Sequence, residues 1–421
     1  MMKRKLLFAL LCLCLSACGT TKWIYVDQKN ASGPWDGTSK NPYATITSAV
    51  QTTKANKSNI IVVRDGVYKE TFILKRGTYV KADDGNKNVV VDGGGAIDII
   101  SSRGGNRVEG LIFKNAATGI QFRLDQSYIA DTLQARTWVS NCRFETSKGV
   151  EVSEFGPMSL TSGSKAKTAV WIFDNWFFET NYGIMVNFKS PQTGHLDLEL
   201  LFANNFVRGK GVTGDGIYVD LTKNGSGSLK LIGWINNNLV FHASNGILLS
   251  ADKGAEAAPE IYGNTLTDNT QNGVRIQATG GSSIKTAFVN NITVDNAMHG
   301  FVEASSNVSP TVISHNLFYD NGSGNYKPFG SGTVSVPAGP NNLDAPPRFK
   351  SGTFYWNGSL TSAGVKEGFF YLNQSPPISP AVNTGIGSPT APKIVLFYDG
   401  TTSVSHTADQ GQRDRGFHYR N

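Results

Sequence analysis

The chain has 421 residues, with 46 Gly and 23 Phe, and its charged residues stop at 17%, short of the usual quarter, with Asn, Ser, Thr and Gly in their place. Its formal net charge of +7 is mildly basic, which suits an acidic polymer partner, and no nucleic-acid, nucleotide or zinc motif accompanies it. Length alone would allow two or three domains, but no stretch beyond residue 17 is apolar enough to span a membrane.

Residues 1–17 read as an export signal outside the fold. Lys3, Arg4 and Lys5 form its charged start, and the apolar run from Leu6 to Leu15 is too short for a membrane span. Leu15-Ser16-Ala17-Cys18 resembles the lipobox of bacterial lipoproteins. That resemblance implies cleavage before Cys18 and lipidation of its sulfur. With Gly19 next, it implies an outer-membrane or cell-surface location. The membrane is then a partner through this anchor alone. Losing the signal leaves 36 basic against 32 acidic residues, a net charge of +4. Cys12 and Cys14 leave with it and Cys18 takes the lipid, so Cys142 has no disulfide partner and reads as a core thiol.

Trp23 to Asp27 reads as a first strand, followed by a turn-rich loop from Gln28 to Lys40. Pro42 to Val50 reads as a short helix with Tyr43, Ile46, Ala49 and Val50 on one face. Ile60 to Val63 reads as a buried strand, and Asp65-Gly66 turns into Val67-Tyr68. Gly37-Thr38, Asn41-Pro42-Tyr43, Thr45-Ile46, Ala49-Val50, Ile60 to Val63 and Gly66 to Glu70 together resemble the opening segment of secreted right-handed parallel β-helix proteins. This pectate-lyase-like superfamily holds polysaccharide lyases, C5-epimerases and non-enzymatic relatives. The resemblance implies a helix that caps the open apolar end of a stack of coils.

Further coils at Gly77 to Val91 and Ala96 to Ile100 lead into a repeat. Gly119, Gly149, Gly183, Gly216, Gly246, Gly273 and Gly300 are each followed by an apolar residue, at steps of 30, 34, 33, 30, 27 and 27. Upstream of each sits a small or polar residue and an apolar run: Gly110, Asn141, Asn175, Asn205, Asn238, Asn264 and Asn291, with Asn316 opening an eighth. A fixed period in this range means stacked supersecondary units. The expected fold is all-β, a single-stranded right-handed parallel β-helix with an N-terminal capping helix. Stacked Asn side chains are expected to bond from coil to coil. Trp176, Phe177, Phe178, Phe206 and Phe241 read as core stacks.

Three excursions, Arg123 to Arg136, Phe155 to Lys167 and Ser190 to Glu199, interrupt the rhythm and are expected to project from one face. After Tyr319 the pattern decays. Ser379 to Gly385 and Asp409 to Gly416 resemble a closing segment of the same superfamily, which implies a structural lock onto the last coils. The expected division is a signal over 1–17, the capped β-helix over 18–330 and the closing segment over 331–421.

Strand alternation turns each repeat Gly into a ruler. One and three residues beyond it the side chains are apolar and point inward; two and four beyond it they face out. The outward stripe holds Gln121 and Arg123, Glu151 and Ser153, Met185 and Asn187, Tyr218 and Asp220, Leu248 and Ser250, then Arg275 and Gln277. Glu154, Lys189, Lys223 and Asp252 lie just past the strands. Equivalent residues of neighbouring coils stand about 4.8 Å apart. The stripe thus gathers a base, an acid and cation-binding oxygens, with Lys189, Tyr218 and Asp220 as the chemical centre. Arg123, Gln121, Asn187, Arg275, Lys223 and Asp252 are the substrate-binding candidates.

A polyuronide lyase neutralises a carboxylate, removes the C5 proton and protonates the leaving oxygen. The superfamily resemblance adds Ca²⁺ as a cofactor, with Glu151, Glu154 and Asn187 as oxygen donors on adjacent coils. The Lys expected after that Glu pair is missing unless Lys165 or Lys189 replaces it. The three-Asp pattern of polygalacturonases is absent, and Asp215-Gly216 and His299-Gly300 read as turn fragments. The expected function is a monomeric, exported polysaccharide lyase acting on an acidic, uronate-containing polymer by β-elimination. A C5-epimerase, a glycoside hydrolase and a non-catalytic glycan-binding β-helix are its rivals.

Overall fold

The computed structural model describes residues 21–83, 88–125, 136–156, 160–335 and 337–349, with 372, 374, 377–385, 400–401, 414–416 and 419–420. Cys18 and the signal over 1–17 lie outside them. The described chain is a parallel β-solenoid. Short apolar runs separated by turn residues cannot bury both faces alone, so each coil lays its strands on those of the coil before it.

One face stacks Lys22–Val26, Asn59–Val63, Thr78–Ala82, Arg107–Glu109, Arg136–Ser140, Lys165–Phe173, His195–Ala203, Ser228–Asn236, Glu256–Tyr262, Ala287–Val289 and Val312–Ser314 in parallel. A second face carries the short strands from Arg143–Glu145 to Leu343–Asp344, so stacked strands continue past residue 330. The third carries the strands at the repeat Gly, among them Lys148–Glu154, Tyr182–Lys189, Ile217–Thr222, Ile247–Asp252 and Val274–Ala278. Val89–Ser102 and Ile112–Leu124 are long enough to run through the second and third faces together.

Inward side chains form columns. Phe113, Phe144 and Phe177 stack with centroids 5.0 and 4.8 Å apart. Trp176, Phe178, Phe206 and Phe241 do not join them. They alternate with Phe177, Val207 and Val240, so they stand on the outer side of the second face. Phe178, Phe206 and Phe241 are nonetheless buried and Trp176 stacks on Phe206 with centroids 4.7 Å apart, so the expected aromatic stack forms outside the interior column.

Two devices fix the corners. At one corner Asn175, Asn205, Asn238, Asn264, Asn291, Asn316 and Asn342 form a ladder, each Nδ2 donating to the next Oδ1 at 3.0–3.1 Å. The ladder starts at the Cys142 N–H, which donates to Asn175 Oδ1 at 3.0 Å, not at Asn141. Asn141 belongs one position earlier, in a column of left-handed residues with Asp174, Asn204, Asn237, Asn290 and His315, φ 52–58°, where Asn and Asp are tolerated best. Cys142 is fully buried, and burial pushes its thiol up to about 12. A second ladder runs through Asn269, Asn296, Asn321 and Asn325 at 2.8 Å.

Near the N-terminus the helix Ile46–Gln51 buries Ile46, Ala49 and Val50 against the strands Lys22–Val26, Asn59–Val63 and Phe72–Leu74. Thr45 accepts from Ser48 N, and the Glu70 carboxylate accepts the N–H groups of Ile46 and Thr47 at 2.8 Å, satisfying donors that a helix start leaves free. At the other end Arg415, 1% exposed, donates to Asn316 O at 2.7 Å and Thr384 O at 3.1 Å. Leu372 and Ala381 pack on Ile292, Val294 and Leu317. Arg413 lies outside the described residues. Among those residues no helix is long and apolar enough to cross a membrane.

Candidate active site

The site grows from the repeat Gly on the third face. A Cβ on Gly149 would fall 2.2 Å from Phe177, and one on Gly216 only 2.1 Å from Val240. These glycines therefore point into the core, and so do the residues after them, Val150 and Ile217, both fully buried. Two successive inward positions break the alternation at the Gly. The residue before each Gly is thereby turned to the outer face.

Beyond the Gly the register aligns Gln121, Glu151, Met185, Tyr218, Leu248 and Arg275 as one outward column. Arg123, Ser153, Asn187, Asp220, Ser250 and Gln277 form the next. Tyr218 and Asp220 sit together at the middle of this surface. Tyr182, the residue before Gly183, brings its ring 5.7 Å from that of Tyr218. Asp215, the residue before Gly216, completes the group. It is only 6% exposed, and its Oδ1 accepts both the backbone N–H of Asn245 at 3.0 Å and Asn245 Nδ2 at 2.8 Å.

The protonation states follow from this packing. Burial pushes the Tyr218 phenol up to about 12, and the neighbouring Asp220, Tyr182 and Asp215 charges push the same way. Tyr218 therefore stays protonated at ordinary pH and has a proton to donate. Burial also holds Asp215 above the usual carboxylate range, against its Asn245 hydrogen bonds and the Arg275 charge. Tyr182 is raised by burial and by Asp215.

The remaining candidates take other places. Gln121 is 4% exposed and donates to Ser153 Oγ at 3.2 Å. Arg123 pairs with Asp98 at 3.6 Å. Arg275 Nε reaches Gln277 Oε1 at 3.5 Å. Lys189 pairs in register with Thr222, two residues along from Asp220, and lines a neighbouring cavity of ≈ 670 Å³ with Glu154, Gln192, Thr193, Asn224 and Ser226. Lys223 and Asp252 stand at the same strand ends, where Asp252 Oδ1 accepts from Thr279 Oγ1 at 2.8 Å.

Glu151, Glu154 and Asn187, the expected Ca²⁺ donors, each have their own neighbours. Glu151 is bound by Lys148 Nζ at 2.7 Å, while Glu154 accepts the Lys189 N–H at 3.0 Å. Glu151 and Glu154 are three positions apart in one strand, hence of opposite parity. Asn187 stands beside Ser153 and Asp220 rather than Glu151. Among the described residues no group of three His, Cys, Asp or Glu is poised to hold a metal.

Lys148, Tyr182 and Asp215 are the site residues the ruler did not find. It counted only forward from each Gly, and the extra inward position at the Gly reverses the parity behind it. The signal was available as a run of polar residues directly before the Gly: Lys148, Tyr182, Asp215, Asn245 and Asn272.

No protein-family model and no curated protein matches the chain. Solved structures do resemble it. A complex of XylC with xylose aligns at TM-score 0.43 and 11% identity, covering 73% of this chain and 70% of that one. A GH136 lacto-N-biosidase from Eubacterium ramulus aligns at TM-score 0.40 and 11% identity, over 76% and 66%. A mutant of the periplasmic alginate epimerase AlgG aligns at TM-score 0.39 and 13% identity, over 72% and 84%. At these scores and identities the likenesses do not bear on what the chain does, and the strand register itself defines the fold.

Proposed function

We propose that the chain is an exported enzyme that cleaves an acidic, uronate-containing polysaccharide by β-elimination. The observation that carries this reading is the pair of Tyr218, held neutral by burial and by the Asp220 charge, with the Asp220 carboxylate two residues along on the same half-buried face of the strand. One proton donor and one proton acceptor thus face the same solvent groove, as an elimination needs.

In the proposed step Arg275 and Lys189, from coils on either side of Tyr218, neutralise the uronate carboxylate. Asp220 removes the C5 proton, the C4–O bond breaks, and a C4–C5 double bond forms. Tyr218 gives its phenolic proton to the leaving glycosidic oxygen. The proton on Asp220 then returns to Tyr218 and resets the site. Lys189 is a binding cation in this scheme, since it stands in the adjoining cavity rather than in the tyrosine group.

A second reading, glycoside hydrolysis, is favoured by one observation. Asp215 and Asp220 are two carboxyl groups near Tyr218, and the former is raised by burial, which is how an acid and a base are set apart. A C5-epimerase would use the same proton abstraction and reprotonate the opposite face. The test incubates the protein with alginate, polygalacturonate, chondroitin and bacterial exopolysaccharides. New ultraviolet absorbance from an unsaturated uronate supports the lyase. Reducing ends without it support the hydrolase, and altered uronate ratios without cleavage support the epimerase. Binding with no chemistry on any of these polymers sinks all three. Export with a lipid on Cys18 belongs to the same proposal, and a Cys18→Ser variant that stays membrane-bound would refute it.

A further inference from the structure

The outer side of the first face carries a feature the candidate site does not use. Trp23, Tyr79, Arg107, Trp138, Trp171 and Trp234 fall in a single register column, with Ile60 and Leu201 filling its two gaps. The alternate positions Ile24, Val80, Val108, Val139, Ile172 and Ile235 point into the core, so the whole column faces out. Four of the chain's 7 Trp occupy it. Trp23 is 47% exposed and Trp138, Trp171 and Trp234 are partly exposed. Trp138, Trp171 and Trp234 pack on Phe173, Leu201 and Ala203, a cluster separate from the interior.

We infer that this column is a non-catalytic platform for a linear acidic polysaccharide, an inference that rests on the substrate class proposed above. Three properties point to a polymer of that chemistry. The column runs along the solenoid axis for about 34 Å, seven steps of about 4.8 Å between its eight coils, and it lines up five aromatic rings, those of Trp138 and Trp171 in adjacent coils. It is a narrow stripe, widened to two side chains only where Phe173 and Ala203 pack beside the Trp rings, well short of the roughly 800 Å² per partner of a stable protein interface. Arginines are interleaved with its rings: Arg136 lies 4.8 Å over Trp171, and the Arg107 guanidinium, paired with Glu109 at 2.6 Å, lies 4.1 Å over Trp138 and 4.4 Å over Tyr79. A cation beside an apolar ring matches the carboxylate and the C–H face of a uronate. The platform and the Tyr218 groove occupy different faces, so one long chain or two neighbouring chains of a matrix can engage both.

The test measures retention of the full-length protein in gels containing the acidic polymer it turns over, beside turnover of short uronate oligosaccharides. Trp23→Ala, whose exposure makes misfolding a poor explanation, and Trp171→Ala should each weaken polymer retention by about fivefold, the worth of one aromatic contact. Turnover of the short substrate should stay unchanged. Trp234→Tyr, which keeps an aromatic ring, should retain most of the binding. Equal retention of all variants overturns the platform. So does a loss that appears only in binding to phosphatidylcholine vesicles, or in self-association by sedimentation, since those outcomes assign the column to a membrane or a second copy. Absence of turnover in the unaltered protein refutes the enzyme reading instead, so the two failures are distinguishable.

Discussion

Asn238→Ala tests the ladder that sets the coil spacing beneath the candidate site. Asn238 sits between Asn205 and Asn264 and is fully buried. Its Oδ1 accepts Asn205 N at 3.1 Å and Asn205 Nδ2 at 3.0 Å; its Nδ2 donates to Phe202 O at 2.9 Å and Asn264 Oδ1 at 3.0 Å. Truncation removes four hydrogen bonds, but not every partner is orphaned. Asn205 Nδ2 keeps Ile172 O at 2.9 Å, and Asn264 Oδ1 keeps the Asn238 N–H at 2.9 Å. The Asn205 N–H loses its acceptor, while Phe202 lies within the strand His195–Ala203, paired with Ser228–Asn236. At about 1–3 kcal/mol for the buried N–H left unpaired and about 1 kcal/mol for each of the other three hydrogen bonds, the expected loss is about 4 kcal/mol. Urea unfolding should report it, and amide exchange at Asn205 should accelerate most, because coils communicate mainly with their neighbours. A loss below about 1 kcal/mol, with Asn205 exchange unchanged, would refute the view that the ladder is a cooperative structural element.

Other outcomes concern the site. Tyr218→Phe should lower kcat by at least about a hundredfold with circular dichroism unchanged; near-normal turnover would remove Tyr218 as the proton donor. Lys189→Ala should raise KM more than it lowers kcat, and the reverse pattern would return Lys189 to the chemistry. Gly216→Ala, whose new Cβ would lie 2.1 Å from Val240, should destabilise by about 1–3 kcal/mol through overpacking and shift Tyr218 with its strand; a neutral variant would mean that the core yields there. Alkaline stability should fall as well. Tyr68 and Tyr218 are raised from 10.0 to about 12, burial being the first cause for both. Between those values the unfolded chain has released protons that the folded chain still holds, so stability declines as pH rises through that window. Phenolate absorbance followed during unfolding would detect it, and flat stability across the window would contradict the burial argument.

The outward columns were legible because a strand's parity is rigid. Once Gly216 is placed, Tyr218 and Asp220 must share a face, and the period aligns them with Met185 and Asn187. The parallel stack was legible for the same reason. What the sequence hid depends on local departures from parity. Asp215 read as a turn fragment because nothing in its spacing reveals that both Gly216 and Ile217 point inward. Asn141 opens its repeat as the column Asn residues open theirs, yet Cys142 occupies the ladder register and Asn141 the left-handed position before it, a difference of backbone hand that spacing does not show. Glu151 and Glu154 looked like paired ligands in a linear count, whereas parity sends their side chains different ways.

A third amide chain passes through the groove itself. Asn272 Oδ1 faces the His299 N–H at 3.2 Å, Asn272 Nδ2 donates to Asn245 Oδ1 at 2.8 Å, and Asn245 Nδ2 ends on Asp215. The peptide N–H at one end and the carboxyl at the other fix its direction. The corner ladder aims its donors toward the C-terminal coils, and this one aims them back toward the N-terminal coils. The solenoid is therefore electrically polarised in opposite senses along its length, and the positive end of this chain falls on Asp215. A substitution two coils away, at Asn272, would be felt at Asp215 as a change in field without any change of contact. Burial raises Asp215, and the amide at the end of this chain, Asn245, opposes that rise.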